Sequence, residues 1–249
     1  MSTKEFITTP NIPNKRSKAV LVDYRISKES VQTLHSLGIT VYFSTPVNAL
    51  YPQVKGHPDM QLCHVGKNKF VAAPAVFSYY QTLWPKAQIL KGKTNLSVSY
   101  PRHIAYNAGI VGDHIFHFSN YTDPIIKKQL SDKTAVSVRQ GYSKCNICIV
   151  ANGAIITSDP GIVEAARKYH FDVLKIHHGF IKLFDMEGFL GGSCGLLAPD
   201  LLAVNGDIHT HKDADAILSF CKNYKVELCS LKKGCIDDIG SILPIVQEK

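Results

Sequence analysis

The feature that most constrains this chain is a unit that returns about every 50 residues. Five helical segments stand out, at 27–37, 74–84, 123–130, 159–169 and 212–224. Asp123-Pro124 and Asp159-Pro160 each open a helix as an N-cap followed by proline at the first helical position. In the fourth segment Ile162, Val163, Ala166 and Tyr169 fall on one face at helical spacing. A short β-branched strand follows each helix, at 39–43, 87–90, 135–138, 173–176 and 226–228. Four helices are also preceded by two strands around a tight turn. The turns lie at Gly66-Lys67-Asn68, Gly112-Asp113, Asn152-Gly153 and Pro199-Asp200, and Asn-Gly is the strongest hairpin signal among them.

The first helix has one strand before it, 19–23, and the chain ends with one strand too many, 241–246. If these two pair, the missing strand and the surplus strand cancel, the count becomes five β-β-α-β units, and an open edge is removed. The predicted architecture is therefore a single α/β domain over residues 19–249, a five-fold pseudosymmetric β/α propeller closed by its two ends, preceded by an N-terminal extension, 1–18. A generic α/β or α+β domain with hairpins is the alternative.

Composition narrows the class. Hydrophobic residues make up 45% and charged residues 19%, enough to bury a core and too little charge for a disordered chain. The longest apolar runs, such as 147–151, are strand-sized, far from the roughly 20 residues of a membrane span. The N-terminus has no apolar h-region, so no secretory signal is expected. Seven cysteines, an odd number, read as reduced thiols in the cytoplasm. The net charge of +8 is spread thinly, which fits solubility or small acidic ligands better than a nucleic-acid groove. Oligomeric state is left open.

The five-unit organisation resembles the pentein fold, in which five such units surround a short central channel. Val22-Asp23-Tyr24-Arg25, Gly56-His57-Pro58-Asp59, the run from Gln140 to Cys145, Ile156-Thr157-Ser158-Asp159 and Gly191-Gly192-Ser193-Cys194-Gly195 resemble, more narrowly, an uncharacterised bacterial family of that fold. The resemblance covers nearly the whole chain after about residue 18. Penteins include dimethylarginine hydrolases, arginine and agmatine deiminases and amidinotransferases. They also include a non-enzymatic ribosome anti-association factor of the sixth initiation-factor type.

The repeat carries a geometric expectation. Residues entering the first strand of each unit should converge near one axis. These are His57 and Asp59, then Arg102, His103 and Asn107, then Cys145 and Asn146, then Cys194, and finally Asp237 and Asp238 from the chain's end. Polar groups gathered where a core would be apolar imply a wet pocket or a ligand, because each buried without a partner costs a few kcal/mol, about 1–3.

In the resembling enzymes a cysteine after a glycine-rich stretch attacks the central carbon of a guanidinium, which points to Cys194 as nucleophile; its glycines would let a flat ligand approach. Gly56-His57-Pro58-Asp59 resembles the Gly-His-x-Asp motif of the deiminases, which implies a proton-shuttling His57 and a substrate-gripping Asp59. A second carboxylate is not fixed by any motif; Asp237, Asp238 and Asp113 are the candidates. Arg102 would favour a ligand that also carries an acid, such as an amino acid. A structural role for Cys194 in a glycine turn is the alternative.

Other patterns point less far. Cys145-Asn146-Ile147-Cys148 is a CxxC, but two residues three apart on a strand face opposite sides, so neither metal nor redox chemistry is expected of it. The same argument separates His114 from His117, and His177-His178 and His209-x-His211 read as surface histidines. Asp159 is a helix cap and Glu187 a loop residue. Nucleotide-loop and zinc-protease motifs are absent. The expected function is a cofactor-free, metal-free cysteine-dependent hydrolase, deiminase or amidinotransferase acting on a guanidino or amino-acid-like small molecule. The alternative is a non-catalytic pentein-fold binding protein, for a small ligand or a ribosome-type partner.

Overall fold

The computed structural model describes residues 4–249. The chain opens with β1 (Lys4–Phe6), β2 (Ser17–Val22), α1 (Lys28–Ser36) and β3 (Thr40–Phe43). The second unit is α2 (Pro58–Gln61), β4 (Leu62–Gly66), β5 (Lys69–Ala72), α3 (Phe77–Leu83) and β6 (Gln88–Lys91). The third is β7 (Gly109–Val111), β8 (His114–His117), α4 (Pro124–Gln129) and β9 (Thr134–Ser137). The fourth is α5 (Ser143–Asn146), β10 (Cys148–Ala151), β11 (Ala154–Thr157), α6 (Pro160–Lys168) and β12 (Asp172–Lys175). A hairpin, β13 (Ile181–Leu183) and β14 (Met186–Glu187), precedes the fifth unit of α7 (Leu190–Ser193), β15 (Cys194–Ala198), β16 (Leu201–Val204), α8 (Ala214–Asn223) and β17 (Glu227–Ser230). The chain ends with β18 (Ile236–Asp237) and β19 (Leu243–Glu248).

Units two to five each form a three-stranded sheet, the first pair antiparallel and the second parallel across the helix, as in β4-β5-β6. The chain's ends meet in one sheet of order β1-β19-β2-β3. Leu243 lies opposite Leu21 and Pro244 opposite Val20, so the surplus strand supplies the partner that β2 lacks. β1 adds a further strand, with Lys4 opposite Glu248. One sheet was not foreshadowed: β13 pairs with β14 and, in parallel, with β18.

Local chemistry explains the helices. Ser27 accepts from the Ser30 backbone N–H, Asp123 from Ile125 and Asp159 from Ile162, each satisfying a free donor of the first turn. In α6, Ile162, Val163 and Ala166 are buried, and sealing an isoleucine this way contributes about 1.5–3 kcal/mol. Tyr169 leaves that face because the helix stops at Lys168, and its ring is partly exposed. The third unit's first strand is shorter than the pattern suggests, since Arg102–Ile104 turn as a 3₁₀ helix before Gly109.

Candidate functional site

Single helical turns aim the central side chains. α2, α5 and α7 each stand directly before the first strand of their unit. A residue on such a turn is free of the alternation between faces that a strand imposes. His57 is the N-cap of α2, Asp59 lies within it, and Cys145 and Asn146 lie in α5.

His57, Asp59 and Cys145 each present one donor atom, and the three atoms lie within 4.8 Å of one another. The Cys145 thiol donates to Asp59 Oδ2 at 3.1 Å. Asn107 Nδ2 approaches the sulfur to 3.1 Å, while its Oδ1 accepts from the Lys144 backbone N–H at 2.8 Å. Asp238 Oδ1 stands 3.8 Å from His57 Nδ1. The Asp238 carboxylate is fixed by the backbone N–H groups of Phe189 and Gly240, at 2.9 and 3.0 Å.

The cluster is dry. His57, Asp59, Cys145 and Asp238 are all buried. Among the described residues, both ring nitrogens of His57 and the Oδ1 of Asp59 have no hydrogen-bond partner. Burial, and then the charges of Asp59 and Asp238, push the Cys145 thiol well above its ordinary range. Burial also raises the Asp238 carboxyl, with Asp59 adding to it and His57 opposing. The resting sulfur is therefore a thiol among acids, and a cation placed between them would stabilise the thiolate. A planar cation or a metal ion has the charge and size for this spacing.

Aromatic rings form one wall. Tyr142 Oη meets Tyr51 Oη at 2.8 Å and His103 Nε2 at 2.5 Å. On another side a cleft of about 250 Å³ is lined by Asp23, Arg25, Lys182, Phe184 and the paired acids Asp237 and Asp238. Asp238 thus belongs to both the cleft and the cluster. Arg25 closes on Asp23 through two hydrogen bonds of 2.9 and 2.6 Å, and the Phe184 ring lies 4.8 Å from its guanidinium carbon.

Among the residues expected at the axis, His57, Asp59, Asn107, Cys145 and Asp238 come together. Cys194 does not join them. Its thiol meets Cys148, and it is buried in an apolar cluster with Cys148 and Cys221. The neighbouring glycines serve backbone packing and not a ligand: a Cβ on Gly191 would meet the Ile147 and Cys145 carbonyls, and one on Gly192 the Asp238 carboxylate. The CxxC pair divides differently from a strand reading, because Cys145 sits on a helical turn and Cys148 begins β10. Asn146 is buried and accepts from Thr157 Oγ1 at 3.1 Å.

Three candidates stand apart. Asp113 is at the far hairpin turn, its side chain 95% exposed and paired with Lys133. Arg102 is exposed. Asp237 lines the cleft but pairs with Lys232 at 3.0 Å. The surface histidines contact carboxylates through Nδ1, His209 with Asp207 and His177 with Asp213, each at 2.8 Å. Lys144 and Ser241 were not singled out from sequence; Ser241 Oγ bonds Asp59 Oδ2 at 2.8 Å, and Lys144 Nζ donates to Ser241 Oγ at 2.9 Å. No pattern marks them beyond Lys144 standing next to Cys145.

A family model matches residues 21–243. The chain belongs to the family of unknown function DUF6873. No curated protein matches the sequence. Among solved structures the chain is similar to DDAH from Pseudomonas aeruginosa in complex with citrulline, at 8% identity and a TM-score of 0.57, covering 94% of this chain and 100% of that one. It is similar to an agmatine deiminase of C. jejuni, at 8% identity and a TM-score of 0.56, covering 93% and 92%. It is also similar to SxtG, an amidinotransferase from Microseira wollei in the saxitoxin biosynthetic pathway, at 12% identity and a TM-score of 0.51, covering 90% and 92%. At such identities the likeness shows the fold, and this DUF6873 chain has the pentein fold.

Proposed function

We propose that this DUF6873 protein is a cysteine-dependent enzyme acting on the guanidino group of a small molecule, with Cys145 as nucleophile. The observation that carries the reading is the buried cluster of His57, Asp59 and Cys145, with three polar atoms left unpartnered. Each such atom costs about 1–3 kcal/mol, which ligand donors would recover at Asp59 Oδ1 and at the unprotonated nitrogen of His57. A guanidinium suits it: the group is planar, positive and rich in N–H donors for Asp59 Oδ1 and Asp238.

In the chemistry we infer, the bound cation lowers the cost of ionising Cys145, and His57 takes the thiol proton. The sulfur attacks the guanidinium carbon and a C–S bond forms. The departing amine receives the proton from His57 as its C–N bond breaks. Water, deprotonated by His57, then adds to the thiouronium carbon, the C–S bond breaks, and the thiolate returns. A second amine in place of water would make the reaction an amidino transfer. The substrate's remaining portion would lie in the cleft beside Asp238. Seven free thiols fit a reducing compartment, and we place the enzyme in the cytoplasm. We treat residues 19–249 as one catalytic domain.

The test is a panel of guanidino compounds assayed for released ammonia or ureido product. The reading expects turnover of at least one compound, lost in Cys145→Ser and kept in Cys194→Ala. Stoichiometric binding of a panel member without turnover would favour a binding protein instead.

A further inference from the structure

Lys144 is a buried charge that the chemistry above does not use. It is 6% exposed, and Ser241 Oγ is the hydrogen-bond partner of its ammonium at 2.9 Å. Among the described residues, no carboxylate oxygen forms an ion pair with it within 4.0 Å. Among the described residues that hydroxyl is the one hydrogen-bond partner of the ammonium, and burying a charge with so little protein compensation is costly. Ser241 is itself held against its preference, fully buried with φ +78, a left-handed conformation that a non-glycine residue adopts at a cost of about 1–2 kcal/mol.

The two residues act on one atom. An ammonium can only donate, so Ser241 Oγ accepts from Lys144 and must turn its own proton elsewhere. Two acceptors are in reach, Asp59 Oδ2 at 2.8 Å and the Gly191 carbonyl at 2.9 Å. The charged acceptor forms the stronger bond. Asp59 Oδ2 thus receives the Ser241 proton and the Cys145 thiol together, which leaves Oδ1 as the carboxylate's free atom.

We propose that Lys144 is a positioning residue: acting through the Ser241 hydroxyl, it holds the Asp59 carboxylate so that Oδ1 is presented to a cationic ligand. The inference rests on the reading of Asp59 as the cation-binding group. It makes Lys144, Ser241 and Asp59 one unit spanning the fourth unit, the chain's end and the second unit.

The test compares two alkylating probes of nearly equal shape, chloroacetamidine, a planar cation, and chloroacetamide, its neutral counterpart. With either probe a C–S bond forms at Cys145, chloride leaves, and the thiol proton passes to solvent. The readout is the ratio of the two rates, measured on the folded wild-type chain and on Lys144→Met, Ser241→Ala and the double variant. Wild type should favour the cation. Each single variant should lower the ratio about tenfold, as loss of a charge-assisted bond does, and the double variant should lower it no further. A role in stability alone would leave the ratio at its wild-type value. Ser241→Ala is the smaller change and carries the test if Lys144→Met does not fold.

A wild-type preference that survives in both single variants overturns the inference and leaves the guanidino reading standing. Independent, multiplying losses in the double variant also overturn it. Wild type with no preference for the cation overturns the cation-binding reading itself, and this inference with it.

Discussion

Cys145 Sγ lies 3.1 Å from Asp59 Oδ2, across 86 residues of sequence and between two different repeat units. The contact exists because α2 and α5, each standing just before the first strand of its unit, bring Asp59 and Cys145 side by side. It is the reason the proposed nucleophile is Cys145, which the sequence presents as half of a CxxC, and not the glycine-flanked Cys194.

The two cysteines should therefore separate experimentally. Cys194→Ala removes a sulfur from an apolar cluster and is expected to cost about 1–2 kcal/mol of stability while leaving Cys145 alkylation unchanged. Cys145→Ser should abolish labelling at that position with a smaller effect on stability. Urea denaturation and peptide-resolved alkylation measure both.

Gly240 supports His57 from beneath. Its φ is +68, and a Cβ there would collide with the His57 side chain and backbone. Gly240→Ala is expected to lose about 1–3 kcal/mol from strain and contact together, and to reduce any guanidino turnover at least tenfold by displacing the imidazole. Wild-type stability in that variant would show that the loop relaxes freely.

The way the site could and could not be read from sequence follows from these turns. The repeat, the capped helices and the pairing of the chain's ends were legible because hydrophobic period and turn residues are local signals. His57, Asp59, Cys145, Asn107 and Asp238 were legible only within a larger set, since equivalence between units also pointed to Arg102, His103, Asn146, Cys194 and Asp237. The ranking among them was not. Whether Cys145 or Cys194 faces that axis depends on one helical turn before each strand, and four-residue turns such as Ser143–Asn146 carry no periodicity. Lys144 and Ser241 were invisible for the same reason: their roles come from a contact 97 residues apart.

Acid should unfold the protein through its buried histidines. Burial lowers His64 to about 4. Burial, with Lys127 adding to it, also lowers His117 to about 4. Both are below the ordinary value near 6.5. Between these values the unfolded chain binds protons that the folded chain refuses, so stability is full above about 6.5 and falls toward pH 4. For the buried His64 the loss is of order 3 kcal/mol. Denaturation midpoints at pH 7.5, 6, 5 and 4.5 check this, and His64→Gln should flatten part of the slope.

The terminal sheet makes a structural prediction. β19 lies between β1 and β2 and supplies the partner strand for the first unit. Removing residues 243–249 should abolish cooperative unfolding, whereas removing residues 1–7, which takes away the edge strand β1 and the buried Ile7, should leave a folded chain of lower stability. Circular dichroism melts of the two truncations distinguish the outcomes.

The most direct measurement is acid quench of the protein mixed with guanidino compounds, followed by peptide mass spectrometry. An amidino adduct is expected on the peptide that carries Cys145, present in Cys194→Ala and lost in Asp59→Asn. An adduct confined to Cys194, or turnover that persists in Cys145→Ser, would contradict it.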